Sequence, residues 1–278
     1  MRNNSEYCKN CKQHLLLCQK FCHSCGQKAD THRINFHFLI HEVQHGIFHV
    51  DSGILFTIKE LFSRPGHTLR EYLEGKRKPH FPPMLFVIIL GSICALIQFS
   101  LNRKPEKTQD QLVESNLAKT EYSKYIDFRG LIAYFRHIFE WLGSHLAFTI
   151  LLMLPIAALG FYLGFRKYKC NYPEWLVILL YLAGQCLTVY IFFIFLNHFV
   201  GDFTFLFYMI CWAMVTISLV EFFNERGKWY VMLRTFWSIF LSYFFSMIYI
   251  ILAIIAITAV GILLYGYESI IPTVMQKL

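Results

Sequence analysis

Residues 36–83 read FHFLIHEVQHGIFHVDSG (36–53), ILFTIKELFSRPGHTLREYLEG (54–75) and KRKPHFPP (76–83). Cysteine pairs precede this stretch and long apolar runs follow it, so its reading decides the architecture. His37, His41, His45 and His49 recur every four residues, which places them on one face of a helix. Phe36, Ile40, Val43, Ile47 and Val50 fall on the other face, giving an amphipathic helix suited to a bilayer interface or a bundle surface. Asp51-Ser52-Gly53 ends that helix. Ile54–Ser63 forms a second one, Arg64-Pro65-Gly66 breaks it, and Thr68–Glu74 forms a third that Gly75 closes as a left-handed cap.

His41-Glu42-Val43-Gln44-His45 also matches the HExxH pattern. Three readings stay open. The first is an interfacial helix whose imidazoles tolerate water and head groups. The second is a metal or pH-responsive site on His41, His45 and His49. The third is a zinc hydrolase with His41 and His45 as ligands and Glu42 as general base. The metzincin pattern needs a histidine ten residues after the first, whereas His49 follows His41 by eight.

The chain has 278 residues, 56% of them hydrophobic and 16% charged, against about 25% charged in soluble domains. The expected architecture is therefore an all-α polytopic membrane protein of about five transmembrane helices. The spans read as 84–101, 144–165, 174–197, 203–220 and 236–265. Net charge is +8, and its placement beside spans speaks for anionic lipid head groups, met by Lys76, Arg77 and Lys78, and against nucleic acid. The loops after spans two and four are also basic, while Asn197–Asp202 carries no cation. This alternation puts the N-terminus in the cytosol and the C-terminus outside, with 102–143 as an extracytoplasmic loop. Gln98 and Gln185 are the main polar groups within spans, and Gln185 is expected to hydrogen-bond between helices. Nothing resembles paired carboxylates at mid-membrane, yet a pore or permease formed by a homo-oligomer stays open.

Five of the nine cysteines lie in the first 25 residues. Cys8-Lys9-Asn10-Cys11 and Cys22-His23-Ser24-Cys25 are two CxxC units, and each can aim two thiolates at one point. Together they make a structural four-cysteine Zn²⁺ site, with Cys18, His14 and His23 as spare ligands. The segment holds too few apolar residues to fold by burial, so metal supplies most of its stability. Such a site has no open coordination position, and the head reads as a surface for a protein partner rather than a catalyst. The domain division is then head 1–30, juxtamembrane block 31–83, first span 84–101, loop 102–143 and remaining spans 144–278.

The order CxxC…CxxCGQ, HExxHxxFHVDxG, TxKELxxRPGxxxREYLEGKRxxxFxP and then a membrane span resembles a bacterial domain-of-unknown-function family, number 3667. Lys12 stands where that family often has glycine after the first knuckle. The resemblance implies a multi-pass protein of the bacterial cytoplasmic membrane with a zinc-ribbon-like head, and it implies no activity. The leading expectation is a non-enzymatic docking, sensing or assembly module. A membrane metalloenzyme and an oligomeric pore are the alternatives.

Overall fold

The computed structural model describes residues 6–16, 19–29, 31, 33–39, 53–101, 146–168, 170–224 and 227–265. Among the described residues the helices run, in chain order, α1 (Gly53–Ser63), α2 (Pro65–Glu74), α3 (Pro83–Leu101), α4 (Leu146–Gly164), α5 (Tyr172–Phe199), α6 (Thr204–Phe222) and α7 (Lys228–Tyr265). Among the described residues there is no strand, only two isolated bridges in the head. Four helices, α3, α5, α6 and α7, are long and apolar enough to cross a membrane, and α4 is apolar but shorter over Phe148–Gly164. Each expected span coincides with an apolar helix; α3, α5, α6 and α7 exceed the expected lengths and α4 falls short of the expected 144–165. The last starts eight residues earlier than expected, at Lys228 rather than Phe236, because Trp229, Tyr230 and Val231 continue the apolar run across Arg234.

Contacts set the direction of each helix. Gly184 of α5 lies against Phe86 of α3, the Cys94 thiol donates to the Leu187 carbonyl, and Gln98 donates to the Tyr190 hydroxyl. These pairs rise together, so α3 and α5 run parallel. Gly164 and Gly160 of α4 meet Ser238 and Ser242 of α7 in reverse order, so those two are antiparallel. The starts of α3, α5 and α7 and the ends of α4 and α6 therefore share one side with the head, as an alternating bundle requires.

α5 is the mast of this bundle. Its 28 residues make about 42 Å at about 1.5 Å per residue, some 12 Å more than a hydrocarbon core of about 30 Å. At its head side Trp175, Val177, Ile178 and Tyr181 are all buried by protein. A sleeve of α1, α2 and the 75–82 turn covers Tyr181, while Phe161 and Phe165 at and just past the end of α4 and Phe223 after α6 cover Trp175. Tyr181 donates its hydroxyl to the Phe81 carbonyl at 2.8 Å, and the Phe81 N–H donates to Thr57 Oγ1 at 2.7 Å. Gln185 donates to the Leu61 carbonyl at 2.8 Å. Leu61 is among the last carbonyls of α1, which a helix leaves without internal partners. The expected interhelical bond of Gln185 is thus present, and its partner is the juxtamembrane block.

The breaks fall where the residues place them. Arg64 leaves helical geometry at φ −151°, and Pro65 opens α2. Gly75 sits at φ +107°, with its N–H reaching Tyr72 O and the next N–H reaching Glu71 O. A side chain there would meet Thr31 and Lys9. At the other end of α2 a reciprocal lock is formed with α6. Glu221 accepts from the Gly66 N–H at 3.0 Å, while Arg70 donates to the Glu221 and Phe222 carbonyls at 2.9 and 2.8 Å. An anion meets a helix start and a cation meets a helix end, which the peptide dipoles favour.

Candidate metal centre

Residues 6–29 fold as the same turn twice. Tyr7-Cys8-Lys9-Asn10-Cys11-Lys12-Gln13-His14 and Phe21-Cys22-His23-Ser24-Cys25-Gly26-Gln27-Lys28 superpose in hydrogen bonding. The N–H of Cys8 bonds to Gln13 O and that of Cys22 to Gln27 O, both at 2.8 Å. The N–H of Lys12 returns to Cys8 O and that of Gly26 to Cys22 O, both at 2.9 Å. Tyr7 bridges to His14, and Phe21 bridges to Lys28. Each turn needs one left-handed residue, Lys12 at φ +61° and Gly26 at φ +70°. Lysine occupies the first without a change of path, so the departure noted at Lys12 leaves the knuckle geometry intact.

The turns bring four thiols together. Sγ of Cys8 lies 3.6 Å from Sγ of Cys25, Cys11 lies 3.5 Å from Cys22, and all four sulfurs fall within 4.8 Å of one another. A tetrahedral ion with metal–sulfur bonds of about 2.3 Å sets sulfurs about 3.8 Å apart, so the cluster fits a single thiophilic ion. The separations are far beyond a disulfide bond of about 2.05 Å, and all four cysteines are free. The thiols differ in acidity. Burial resists ionisation of Cys25, but the Gln27 backbone N–H, the Cys11 and Cys8 thiols and Asn10 bring it down to about 7. Cys22 is lowered by the N–H groups of Cys25 and Ser24 against burial. The Gln13 N–H favours the Cys11 thiolate, yet burial and the three neighbouring sulfurs push this thiol up to about 11. A metal binds the thiolate form and so displaces the thiol protons on binding.

Of the spare ligands, His14 packs edge-on against the Tyr7 ring at 5.5 Å, and His23 is exposed outside the cluster. Cys18 lies outside the described residues. So do His41, Glu42, His45 and His49, together with Asp51 and the 102–143 loop. His37 lies in the short helical stretch 36–39. Among the described residues, the four cysteines form the one cluster of three or more ligand groups.

The head is seated on the bundle. Gln27 is buried, and its Oε1 accepts from the N–H groups of Arg77 and Lys78 at 3.2 and 2.8 Å. Lys9 reaches the Thr31 carbonyl at 3.4 Å. Arg33 grips Glu174 with two bonds of 2.6 and 2.8 Å, and Asn171 donates to the Ile34 carbonyl at 3.1 Å. Glu174 and Asn171 also form the capping box that starts α5. The basic run is correspondingly split. Lys76 pairs with Glu71 at 3.1 Å, Arg77 lies 4.2 Å over the Phe38 ring, and Lys78 is exposed.

Behind that run lies His80, whose side chain is fully buried against Phe56 and Tyr72. Burial, only partly opposed by Glu71 4.0 Å away, lowers its pKa to about 4.

Sequence reading missed the two seats and the reciprocal lock, because Arg33–Glu174 and Gly66–Glu221 join residues more than a hundred positions apart. It also missed the internal repeat, which the shared aromatic-C-x-x-C-x-Q pattern displays.

The model of a family described as "Protein of unknown function (DUF3667)" matches residues 51–94. That range covers α1, α2, the 75–82 turn and the first part of α3, and leaves outside it the cysteine head, to which the motif resemblance also extended. No curated protein and no solved structure matches the chain.

Proposed function

We propose that this is a non-enzymatic membrane protein whose head carries a structural Zn²⁺ ion on Cys8, Cys11, Cys22 and Cys25 and serves as a docking, sensing or assembly module. The convergence of the four sulfurs within 4.8 Å carries this reading. Four protein thiolates fill every corner of a tetrahedral site and leave no place for a substrate or an activated water. The outward side of the head supports docking: Tyr7, Leu16 and Phe21 are 55%, 65% and 57% exposed. Lys12, Lys20 and Lys28 are exposed on the same small unit, so an acidic partner suits it.

The cations of the head and of Arg64–Lys78 lie on the side of the bundle where the starts of α3, α5 and α7 meet. Asn197–Asp202, on the other side, has none. By the positive-inside rule the head is cytosolic and the C-terminus lies across the membrane, in a bacterial cytoplasmic membrane as the resemblance implies. The division into head, juxtamembrane block, first span, outer loop and remaining spans goes with this orientation. Lys78 remains available to an anionic head group.

Metal analysis of the purified full-length protein tests the reading. One zinc per chain is expected, lost on Cys8→Ser with Cys22→Ser and retained on His45→Ala. A second zinc that survives the cysteine changes and disappears with His45→Ala would favour the hydrolase on His41, Glu42 and His45 instead.

A further inference from the structure

The metal cluster and the membrane entry are joined by one side chain at a fixed point of the second knuckle. Gln27 follows Gly26, whose left-handed turn closes on Cys22. Its counterpart in the first knuckle, Gln13, is exposed, whereas Gln27 is buried and accepts both N–H groups of Arg77 and Lys78. Those two amides belong to the turn that carries the chain from α2 into α3. The first knuckle touches the same turn, because Lys9 and Thr31 crowd the space above Gly75. Beyond it, Phe81 is pinned by Thr57 and by Tyr181 of α5. Two short turns that hold four sulfurs thus also hold the place where α3 starts beside α5.

We infer that the head is a metal-dependent clamp: with an ion on the four thiolates, Gln27 and Lys9 hold the 75–81 turn, and loss of the ion releases it. The knuckles bury little apolar surface of their own, since their core is Cys8, Leu15 and Cys22. Without metal their paths are not maintained, and the Gln27 acceptor leaves Arg77 and Lys78. The clamp is therefore a device by which metal occupancy on the head side is read by the packing of the first span. It rests on the assignment of the cysteine cluster as a metal site.

Hydrogen exchange on the full-length protein in lipid nanodiscs tests it, with metal content measured on the same samples. In the metal-loaded wild type the amides of residues 77–78 should be protected. A zinc chelator should speed their exchange by on the order of tenfold or more, the size expected for two lost hydrogen bonds. Gln27→Ala should show the fast rate at 77–78 with its metal retained and the Cys22 and Ala29 amides still protected. Gln27→Glu, which keeps the acceptor, should stay slow. If the chelator strips the metal and exposes the head amides while 77–78 stay slow, the clamp is wrong and the metal site stands. If the wild type carries no metal and the chelator changes nothing, the metal assignment itself falls, and the clamp with it.

Discussion

At the scale of single residues, the duplicated turn makes a comparison inside one molecule. Lys12 and Gly26 occupy equivalent left-handed positions, which cost a side-chain-bearing residue about 1–2 kcal/mol. Lys12→Gly should stabilise the head by up to about 1 kcal/mol once the greater freedom of unfolded glycine is subtracted, and Gly26→Ala should weaken it by about 1–2 kcal/mol. Competition with a chelator ranks the three proteins. His80 offers a second test. Its ordinary pKa of 6.5 falls to about 4 in the fold, so between those values the unfolded chain binds a proton that the folded chain refuses. Stability is then full above pH 6.5 and is lost as pH drops toward 4, by about 3 kcal/mol at most for this group. Thermal unfolding of the full-length protein across that range should show the loss, and His80→Phe should flatten it. The convergence of the four cysteines was legible in the sequence because two CxxC units each aim a pair of thiols at one point. His80 was not, because a lone histidine beside three cations looks solvated until the packing of Phe56 and Tyr72 is seen.

At the scale of elements, the recurring event is a helix end finished by a side chain from a distant part of the chain. Gln185 covers a carbonyl of α1, Arg70 covers two of α6, Glu221 receives the start of α2, and Arg234 reaches the Gly164 carbonyl that ends α4. Near a membrane, water satisfies such groups poorly, and each orphan costs about 1–3 kcal/mol. Arg70→Leu should therefore lower stability by about 2–4 kcal/mol while α2 keeps its own hydrogen bonds. A thermal-shift assay in detergent reads it, with Arg70→Lys expected to fall between the two. Gly66→Ala should be as damaging by another route, since the new methyl would enter Glu221 and the backbone of Phe222. Helix positions were readable from hydropathy and from Pro65 and Gly75. The partners at helix ends were not, because periodicity describes one segment at a time and these bonds link separate ones.

At the scale of the whole molecule, the described residues place four apolar helices in alternating directions with the buried α5, and the head and its sleeve gather at one end. If that arrangement sits in the membrane with the head inside, single cysteines placed at residues 28 and 201 of a cysteine-depleted but metal-competent chain should label from opposite sides. Labelling of both from one side would reverse the topology. The central place of α5 also sets an order of events during synthesis. Leu61 is made 124 positions before its partner Gln185, which is about 6–25 s of translation at about 5–20 residues per second. For that interval the Leu61 carbonyl lacks its Gln185 donor and Tyr72, fully buried in the finished protein, lacks the Tyr181 ring it packs on, and the first span enters the membrane beside an unfinished sleeve. A nascent chain arrested before residue 172 should accordingly be bound by holding chaperones or be degraded, whereas one released after residue 199 should escape both.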